Sequence, residues 1–241
     1  MLHDSFNHSE ARVLRLLPRA LSDASDAWAE VIEDRPCKAC LEGNAPKLGP
    51  TGSLPTDEGL VFIDIHHVTV PEIFTGFTTT VGITHAASGF CKSVRVRGKG
   101  DAHEAIELCC CYLNSVGRPV CWIHADNAHE LKGTKVVLIA RGKNIRITTT
   151  TVASSRKNRQ EPQWTAVLAV VRKSLNGTTQ SFWGWAFDHA EEGRNLMPSR
   201  EPPHDCALGR LLSKDGQVVK PPGSFRRPPF VLCYPTLAPL W

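Results

Sequence analysis

Short apolar or alternating segments in the middle of the chain predict β-strands, because β-branched residues and a period of two favour strands over helices. Five segments have this pattern, at residues 60–65, 77–84, 90–97, 119–123 and 144–149. The first of them is apolar except for Asp64. It therefore predicts a buried strand that carries one carboxylate.

Between and after these strands, apolar residues recur every three or four positions and predict helices. The helical segments are residues 101–113, 131–140, 162–175 and 182–194, with Pro162 tolerated in a first turn. Three strands, a helix, a strand, a helix, a strand and further helices indicate an α/β fold with a mixed five-stranded sheet flanked by helices.

The N-terminal 40 residues are also helical in pattern, with apolar positions from Val13 to Leu21 and again from Trp28 to Ile32. Residues 41–58 are rich in Gly, Pro, Ser and Thr, which is typical of a linker. We place a domain boundary near residue 56. The predicted organisation is a small helical module with its linker at 1–55, a core at 56–200 and a Pro-rich extension at 201–241.

Composition narrows the classes of protein only slightly. The formal net charge of +4 and the pI of about 8.6 permit a polyanionic partner without requiring one. No run approaches the roughly 20 apolar residues of a membrane span, and no basic region followed by an apolar run marks a secretory signal. We therefore expect an intracellular protein, nuclear or cytoplasmic, with no membrane partner. Among the nine cysteines, Cys109, Cys110 and Cys111 fit buried free thiols.

Three carboxylates are the strongest candidates for chemistry. A buried Asp64 is costly unless it is paired or binds a cation. Asp126 follows the fourth strand, where strand adjacency would bring it beside Asp64, and Glu161 is the only carboxylate between Glu130 and Asp188. Each of the three also has an ordinary explanation, as a strand, turn or helix-start residue. Together they provide the oxygen ligands that two Mg²⁺ or Mn²⁺ ions require.

Residues 60–200 resemble the catalytic core of integrases from copia-type LTR retrotransposons, which have a ribonuclease H-like fold and an Asp-Asp-Glu active site. The segment HADNAHEL at 124–131 is similar to the family's (S/T)-D-N-G-x-E-F segment, and residues 158–161 to its N-G-x-x-E-R segment. Residues 182–199 are similar to the helix that follows. The resemblance implies catalytic and metal-binding roles for Asp64, Asp126 and Glu161. It also implies DNA 3′-end processing and strand transfer, with element ends and target DNA as partners of a homo-oligomer.

Four N-terminal residues have the spacing H-x₄-H and C-x₂-C, and they are His3, His8, Cys37 and Cys40. Zinc favours four tetrahedral nitrogen and sulfur ligands, and a C-x₂-C turn places two thiolates on one ion. Histidines near a chain terminus are also often only solvent-exposed. In this order, however, the four resemble the HHCC module (GAG-pre-integrase-like) that precedes the integrase core, which implies a structural Zn²⁺.

A basic loop precedes Glu161. Arg156, Lys157 and Arg159, together with Asn158, are expected to contact DNA phosphates; the alternative is an ordinary solvated loop.

Other residues near these motifs have plainer interpretations. His66 and His67 are interpreted as strand-edge residues rather than metal ligands. Trp164, Trp183 and Trp185, in predicted helices, are expected in the core.

The alternative function is a catalytically degenerate DNA-binding remnant of a retrotransposon polyprotein. Ala128 and Arg159 stand where the family has glycine, and Pro162 follows Glu161 where the family has a basic residue. A metal-dependent nicking or joining assay separates this remnant from an active polynucleotidyl transferase.

Overall fold

The computed structural model describes residues 11–25, 57–125, 133–149, 160–176, 178–199, 203–213, 217 and 219–222. Short 3₁₀ turns at Lys99–Asp101 and Gln180–Phe182 precede two of the helices. In chain order the remaining elements are α1 (Ala11–Leu14), α2 (Leu17–Ala20), β1 (Leu60–His67), β2 (Thr79–His85), β3 (Cys91–Val96), α3 (Ala102–Ser115), β4 (Trp122–Ala125), α4 (Thr134–Gly142), β5 (Arg146–Thr149), α5 (Gln160–Ser174), α6 (Trp183–Leu196) and α7 (Ala207–Leu212).

The five strands form one mixed sheet in the order β3-β2-β1-β4-β5, which confirms the predicted sheet. Strands β1, β2 and β3 pair antiparallel, as consecutive strands joined by short connections can. Strands β1, β4 and β5 pair parallel, and helices α3 and α4 lie in the connections between them. The strand that carries Asp64 is therefore central, with an antiparallel neighbour on one side and a parallel neighbour on the other.

One face of the sheet packs against α3. Val61 and Ile63 of β1 are fully buried there with Ala105 and Ile106 of α3. Because side chains alternate along a strand, Phe62, Asp64 and His66 belong to the opposite face. The face of Asp64 is thus separate from the largest apolar core.

Helices α5 and α6 cover part of the Asp64 face through a second, aromatic-rich cluster that includes Trp164 and Phe187. Helix α6 is also bound to the edge strand β3 by polar contacts. The buried Glu191 carboxyl group accepts the Ser93 amide at 2.9 Å and hydrogen-bonds the Ser93 hydroxyl. Burial raises the pKa of Glu191 to about 7. Nearby, Arg95 pairs with Asp188 at 2.9 Å.

The described N-terminal residues pack against the end of α6. Leu14, Leu17 and Leu21 are buried in one cluster with Leu196 and Cys206.

Helix α7 in turn contacts the segment before β4. The guanidinium group of Arg118 donates to the carbonyl oxygens of Leu211 at 3.0 Å and Ser213 at 2.6 Å.

The predicted domain boundaries at residues 56 and 200 remain predictions.

None of the three predicted thiols forms a disulfide within the described residues, and Cys109 and Cys110 are buried as expected. Cys111 is exposed, so its predicted burial is wrong, because it lies on the outer side of α3. No helix in the described part of the chain is both long enough and apolar enough to cross a membrane.

Candidate functional site

Asp64 lies near the carboxyl end of β1 and is half-buried. Its Oδ1 atom accepts a hydrogen bond from the Ile65 amide at 2.8 Å, which fixes one carboxylate oxygen relative to the strand. The residue directly opposite on β2 is Gly82, which has no side chain to cover the carboxylate. Asp64 is therefore a carboxylate on a central strand, with no side chain opposite it on the antiparallel neighbour.

The parallel neighbour β4 pairs with β1 in a register that bears directly on the predicted site. Phe62 is opposite His124 and Ile63 is opposite Ala125, the last residue of β4. The next residues in the two sequences are Asp64 and Asp126. Asp126 itself lies outside the described residues, so its position stays a prediction.

The start of α5 is packed directly onto β2. Gln160 is buried, and its Oε1 atom accepts a hydrogen bond from the Thr84 hydroxyl at 2.6 Å. A Cβ atom added at Gly82 would lie 2.4 Å from Gln160 Nε2, so the helix approaches the sheet at the residue opposite Asp64. Glu161 is the next residue of α5, and its side chain lies outside the described part of the structure.

His66 packs against aromatic rings on the Asp64 face. Its ring centroid is 5.5 Å from that of Trp164 and 6.2 Å from that of Phe187. Burial, and secondarily the neighbouring His67, lowers the pKa of His66, so its imidazole is neutral at pH 7. His67 hydrogen-bonds the Thr79 hydroxyl through Nδ1 at 3.3 Å. His66 thus packs against helices α5 and α6, and His67 has a hydrogen-bonding partner on β2.

Several polar side chains on β4 and β5 border the face of the sheet that carries Asp64. The Thr148 hydroxyl accepts a hydrogen bond from Trp122 Nε1 at 2.7 Å and hydrogen-bonds His124 Nδ1 at 2.9 Å. The guanidinium carbon of Arg146 lies 5.3 Å from the centroid of the Trp122 ring. Burial lowers the pKa of His124, which is two residues before Asp126. A neutral imidazole therefore lies on β4, next to β1, and a cation lies on β5, the strand beyond it.

The three helix tryptophans differ in burial. Trp164 and Trp183 are in the core, as predicted, and Trp183 Nε1 donates to the Val70 carbonyl at 2.8 Å. Trp185 is only half-buried and stacks on the exposed Phe74 ring at 5.3 Å, so its assignment to the core is wrong. Helical periodicity could not predict the partial exposure of Trp185, because periodicity does not show that the Trp185 ring packs against an exposed loop residue, Phe74, rather than against the core.

The other predicted ligands lie outside the described residues. This holds for the zinc set at His3, His8, Cys37 and Cys40, and for the DNA-contacting set at Arg156, Lys157, Asn158 and Arg159. Within the described ranges no three metal-ligating side chains cluster, a finding that does not test a trio containing Asp126 and Glu161. The donor chemistry at Asp64, an oriented carboxylate on a partly exposed face, fits a hard divalent cation.

Sequence reasoning missed Gln160 and Gly82, which position the start of α5. Neither residue belongs to a pattern of titratable or metal-binding residues, so motifs for catalysis or metal binding do not identify them. The available signal was the glycine in the otherwise β-branched segment FTTTVGIT, since a strand glycine marks a close approach of another backbone or side chain.

The comparisons with known proteins agree with this architecture. No protein-family model matches the chain, and no curated protein matches it in sequence. Its fold is similar to a chain in the cryo-EM structure of the simian T-cell lymphotropic virus intasome in complex with PP2A regulatory subunit B56 gamma. The TM-score is 0.57 at 18% identity, over 89% of this chain and 74% of that chain. The protein thus has an α/β fold with a mixed five-stranded sheet flanked by helices, and this fold is similar to that of a chain in the intasome structure.

Proposed function

We propose that this chain is an integrase, a divalent-metal-dependent polynucleotidyl transferase that processes DNA 3′ ends and joins them to target DNA. The observation that carries the proposal is the register of the central strands. Because Ile63 pairs with Ala125, one further parallel pair would place Asp64 beside Asp126. The integrase-like fold supports the same interpretation.

The third ligand in this proposal is Glu161. Its neighbour Gln160 is fixed over Gly82, the residue opposite Asp64. A side chain one residue further along α5 would begin close to the same carboxylate. Thus two elements that are distant in sequence, β1 and the start of α5, converge on one part of the sheet.

In the proposed reaction, a water oxygen attacks a DNA phosphorus, the bond from that phosphorus to the 3′ oxygen breaks, and the 3′ oxygen takes up a proton to become a 3′ hydroxyl. The oxygen of this hydroxyl then loses its proton and attacks a phosphorus of the target strand. The bond from that phosphorus to the target 3′ oxygen breaks, and the target 3′ oxygen leaves as a new 3′ hydroxyl. Two Mg²⁺ or Mn²⁺ ions, when bound by the three carboxylates, would activate the nucleophile and stabilise the leaving oxygen. The Ile65 amide orients Asp64, and the Thr84–Gln160 hydrogen bond fixes the helix that carries Glu161.

The remaining parts of the proposal concern DNA and zinc. The basic residues at 156–159 would contact DNA phosphates, because arginine and lysine side chains commonly donate hydrogen bonds to phosphate oxygens. His3, His8, Cys37 and Cys40 would bind a structural Zn²⁺ ahead of the core. Concerted joining of two DNA ends requires more than one catalytic site, so a homo-oligomer on DNA is part of the same proposal.

The test is DNA cleavage and strand transfer by the full chain with Mg²⁺ or Mn²⁺. Asp64→Asn, Asp126→Asn and Glu161→Gln should each abolish turnover without changing the melting temperature, since each removes a metal-binding charge and creates no cavity. Glu104→Gln is a matched control, because Glu104 is an exposed carboxylate on α3, the helix that covers the other face of the sheet. Activity that survives in Glu161→Gln but is lost in Glu130→Gln would show that the third carboxylate is assigned to the wrong residue.

A second candidate is a DNA-binding remnant without turnover. It is favoured by Ala128, Arg159 and Pro162, which replace two glycines and a basic residue of the integrase pattern. For this candidate, the purified chain would be folded and would bind DNA, and neither metal would produce cleavage or joining.

A further inference from the structure

A cleft of about 410 Å³ lies between α5, the end of α6 and the segment that contains α7. Its lining combines small apolar residues of α5 and α6, together with Met197 and Pro198, and a polar surface of similar extent. The polar side chains in the lining include two arginines, Arg194 and Arg210. Among the described residues, Asp64 does not line this cleft.

Arg194 pairs with no acid among the described residues. It lies in the last turn of α6 and is half-buried, and its Nε atom donates to Gln163 Oε1. Burial lowers the pKa of Arg194, the effect expected where a guanidinium group loses water and gains no carboxylate.

Arg210 is fixed by backbone carbonyl groups rather than by an acid. Its Nε atom donates to the Ser88 carbonyl and its Nη1 atom to the Asp205 carbonyl, both at 2.9 Å. Its Nη2 atom lies beside Gly89, which also lines the cleft, at 3.7 Å from the position of an added Cβ. Within the described part of the chain, Arg210 also forms no ion pair. Its orientation is therefore set, and its positive charge is not neutralised by an acid there.

We propose that this cleft binds a phosphate group between Arg194 and Arg210. Two guanidinium groups that pair with no described carboxylate complement a phosphate group, whose oxygens can accept hydrogen bonds from both arginines. Guanidinium groups bind phosphate oxygens through paired, charge-assisted hydrogen bonds. Both arginines are partly buried, which strengthens this attraction because water screens the charges less there. The bound group is either free phosphate or a phosphate of a nucleic acid backbone.

The test is a titration of the full chain with inorganic phosphate, with chloride adjusted to hold ionic strength constant. Binding is followed by the Nε–H resonances of the arginines. The Arg194 and Arg210 resonances should shift saturably, and Arg194→Gln and Arg210→Gln should each weaken phosphate binding at least about tenfold. Arg141→Gln, which removes an exposed charge on α4, should leave binding unchanged. Equal phosphate affinity in all three variants, or shifts that never saturate, would overturn the proposal.

The titration includes a folding control and a conservative variant of Arg194. Since Arg210→Gln also removes contacts to two carbonyl groups, folding is checked by the melting temperature in chloride. Arg194→Lys is measured as well, because it keeps the charge but loses the planar fork, and it should bind phosphate more weakly than the wild type.

A parallel titration with a short single-stranded DNA oligonucleotide identifies the source of the phosphate. Shifts at both arginines with the oligonucleotide indicate a backbone phosphate, whereas shifts with inorganic phosphate alone indicate the free ion. If neither probe shifts these two resonances, the site does not exist. The outcome is independent of cleavage or joining, so the proposal stands or fails separately from the integrase activity.

Discussion

Replacing Gly82 with alanine is the sharpest test of how α5 is positioned. The added methyl group would lie 2.4 Å from Gln160 Nε2 and 2.6 Å from Trp164 Cζ2. Both distances are below normal van der Waals contact, so at least one group must move. Gln160 is held by Thr84, and the Trp164 ring is buried at 6% exposure, so neither can swing into solvent without loss.

The expected cost follows from this overpacking. Adding a methyl group to a tightly packed contact destabilises a protein by about 1–3 kcal/mol, which is a large share of the 5–15 kcal/mol by which domains are typically stable. At about 2–4 °C per kcal/mol for a domain of this size, the melting temperature should fall by several degrees. The start of α5 should move away from the sheet, and with it Glu161. Any metal-dependent activity should therefore fall as well.

The assay is urea unfolding with Gly142→Ala as the matched control. A Cβ atom at Gly142 meets nothing within 4 Å, and Gly142 ends helix α4, so alanine there should be neutral or stabilising by up to about 1 kcal/mol. Adding Gln160→Ala to Gly82→Ala should recover part of the loss, because it removes the nearer obstruction and leaves Trp164. If Gly82→Ala unfolds at the same urea concentration as the wild type, the close approach of α5 to β2 is wrong.

Three other predictions concern pH, zinc and DNA. The pKa of Glu191 is about 7 in the fold and 4.5 in the unfolded chain, so the fold favours the protonated form, and its stability falls as pH rises from about 4.5 to 7. Glu191→Gln should remove that fall and be more stable than the wild type at pH 8 by about 3 kcal/mol, at 1.36 kcal/mol per pKa unit; parallel pH profiles for the two proteins would contradict this. The purified chain should contain about one zinc ion per molecule, and both Cys37→Ser and Cys40→Ser should lose it, as metal analysis would show; full zinc in both variants would exclude the predicted module. Replacing Arg156, Lys157 and Arg159 together with alanine should reduce the salt dependence of DNA binding by about 0.9 per lost phosphate contact, whereas an unchanged slope would assign them to a solvated loop.

The sequence was sufficient for the number of strands and for the succession of strands and helices along the chain, because burial imposes a period on apolar residues. It was less reliable at strand ends, where local backbone geometry decides. The fifth strand was predicted from residue 144, but Asn144 has a positive φ of 54° after α4, and β5 begins at Arg146. The fourth was predicted from residue 119, but Cys121 donates to the Gly59 carbonyl in a loop, and β4 begins at Trp122.

Of the candidate site, the sequence identified Asp64 from its isolation in an apolar run. The sequence could not predict the strand register that pairs Ile63 with Ala125, nor the packing of Gln160 over Gly82. Both depend on contacts between residues that are distant in the chain. The same holds for Arg194 and Arg210, which are 16 positions apart in the sequence and line one cleft only through the packing of α6 and α7.

The packing of the N-terminal leucines against α6 bears on how a catalytic fragment should be prepared. Leu14, Leu17 and Leu21 are at most 1% exposed, and burying one such side chain contributes about 1.5–3 kcal/mol. A recombinant fragment cut at residues 56 and 200 would lose these three side chains, together with Cys206 and helix α7, and would expose Leu196 to water. The loss approaches the whole stability of a typical domain, so such a fragment should aggregate, whereas one spanning residues 11–222 keeps the cluster intact.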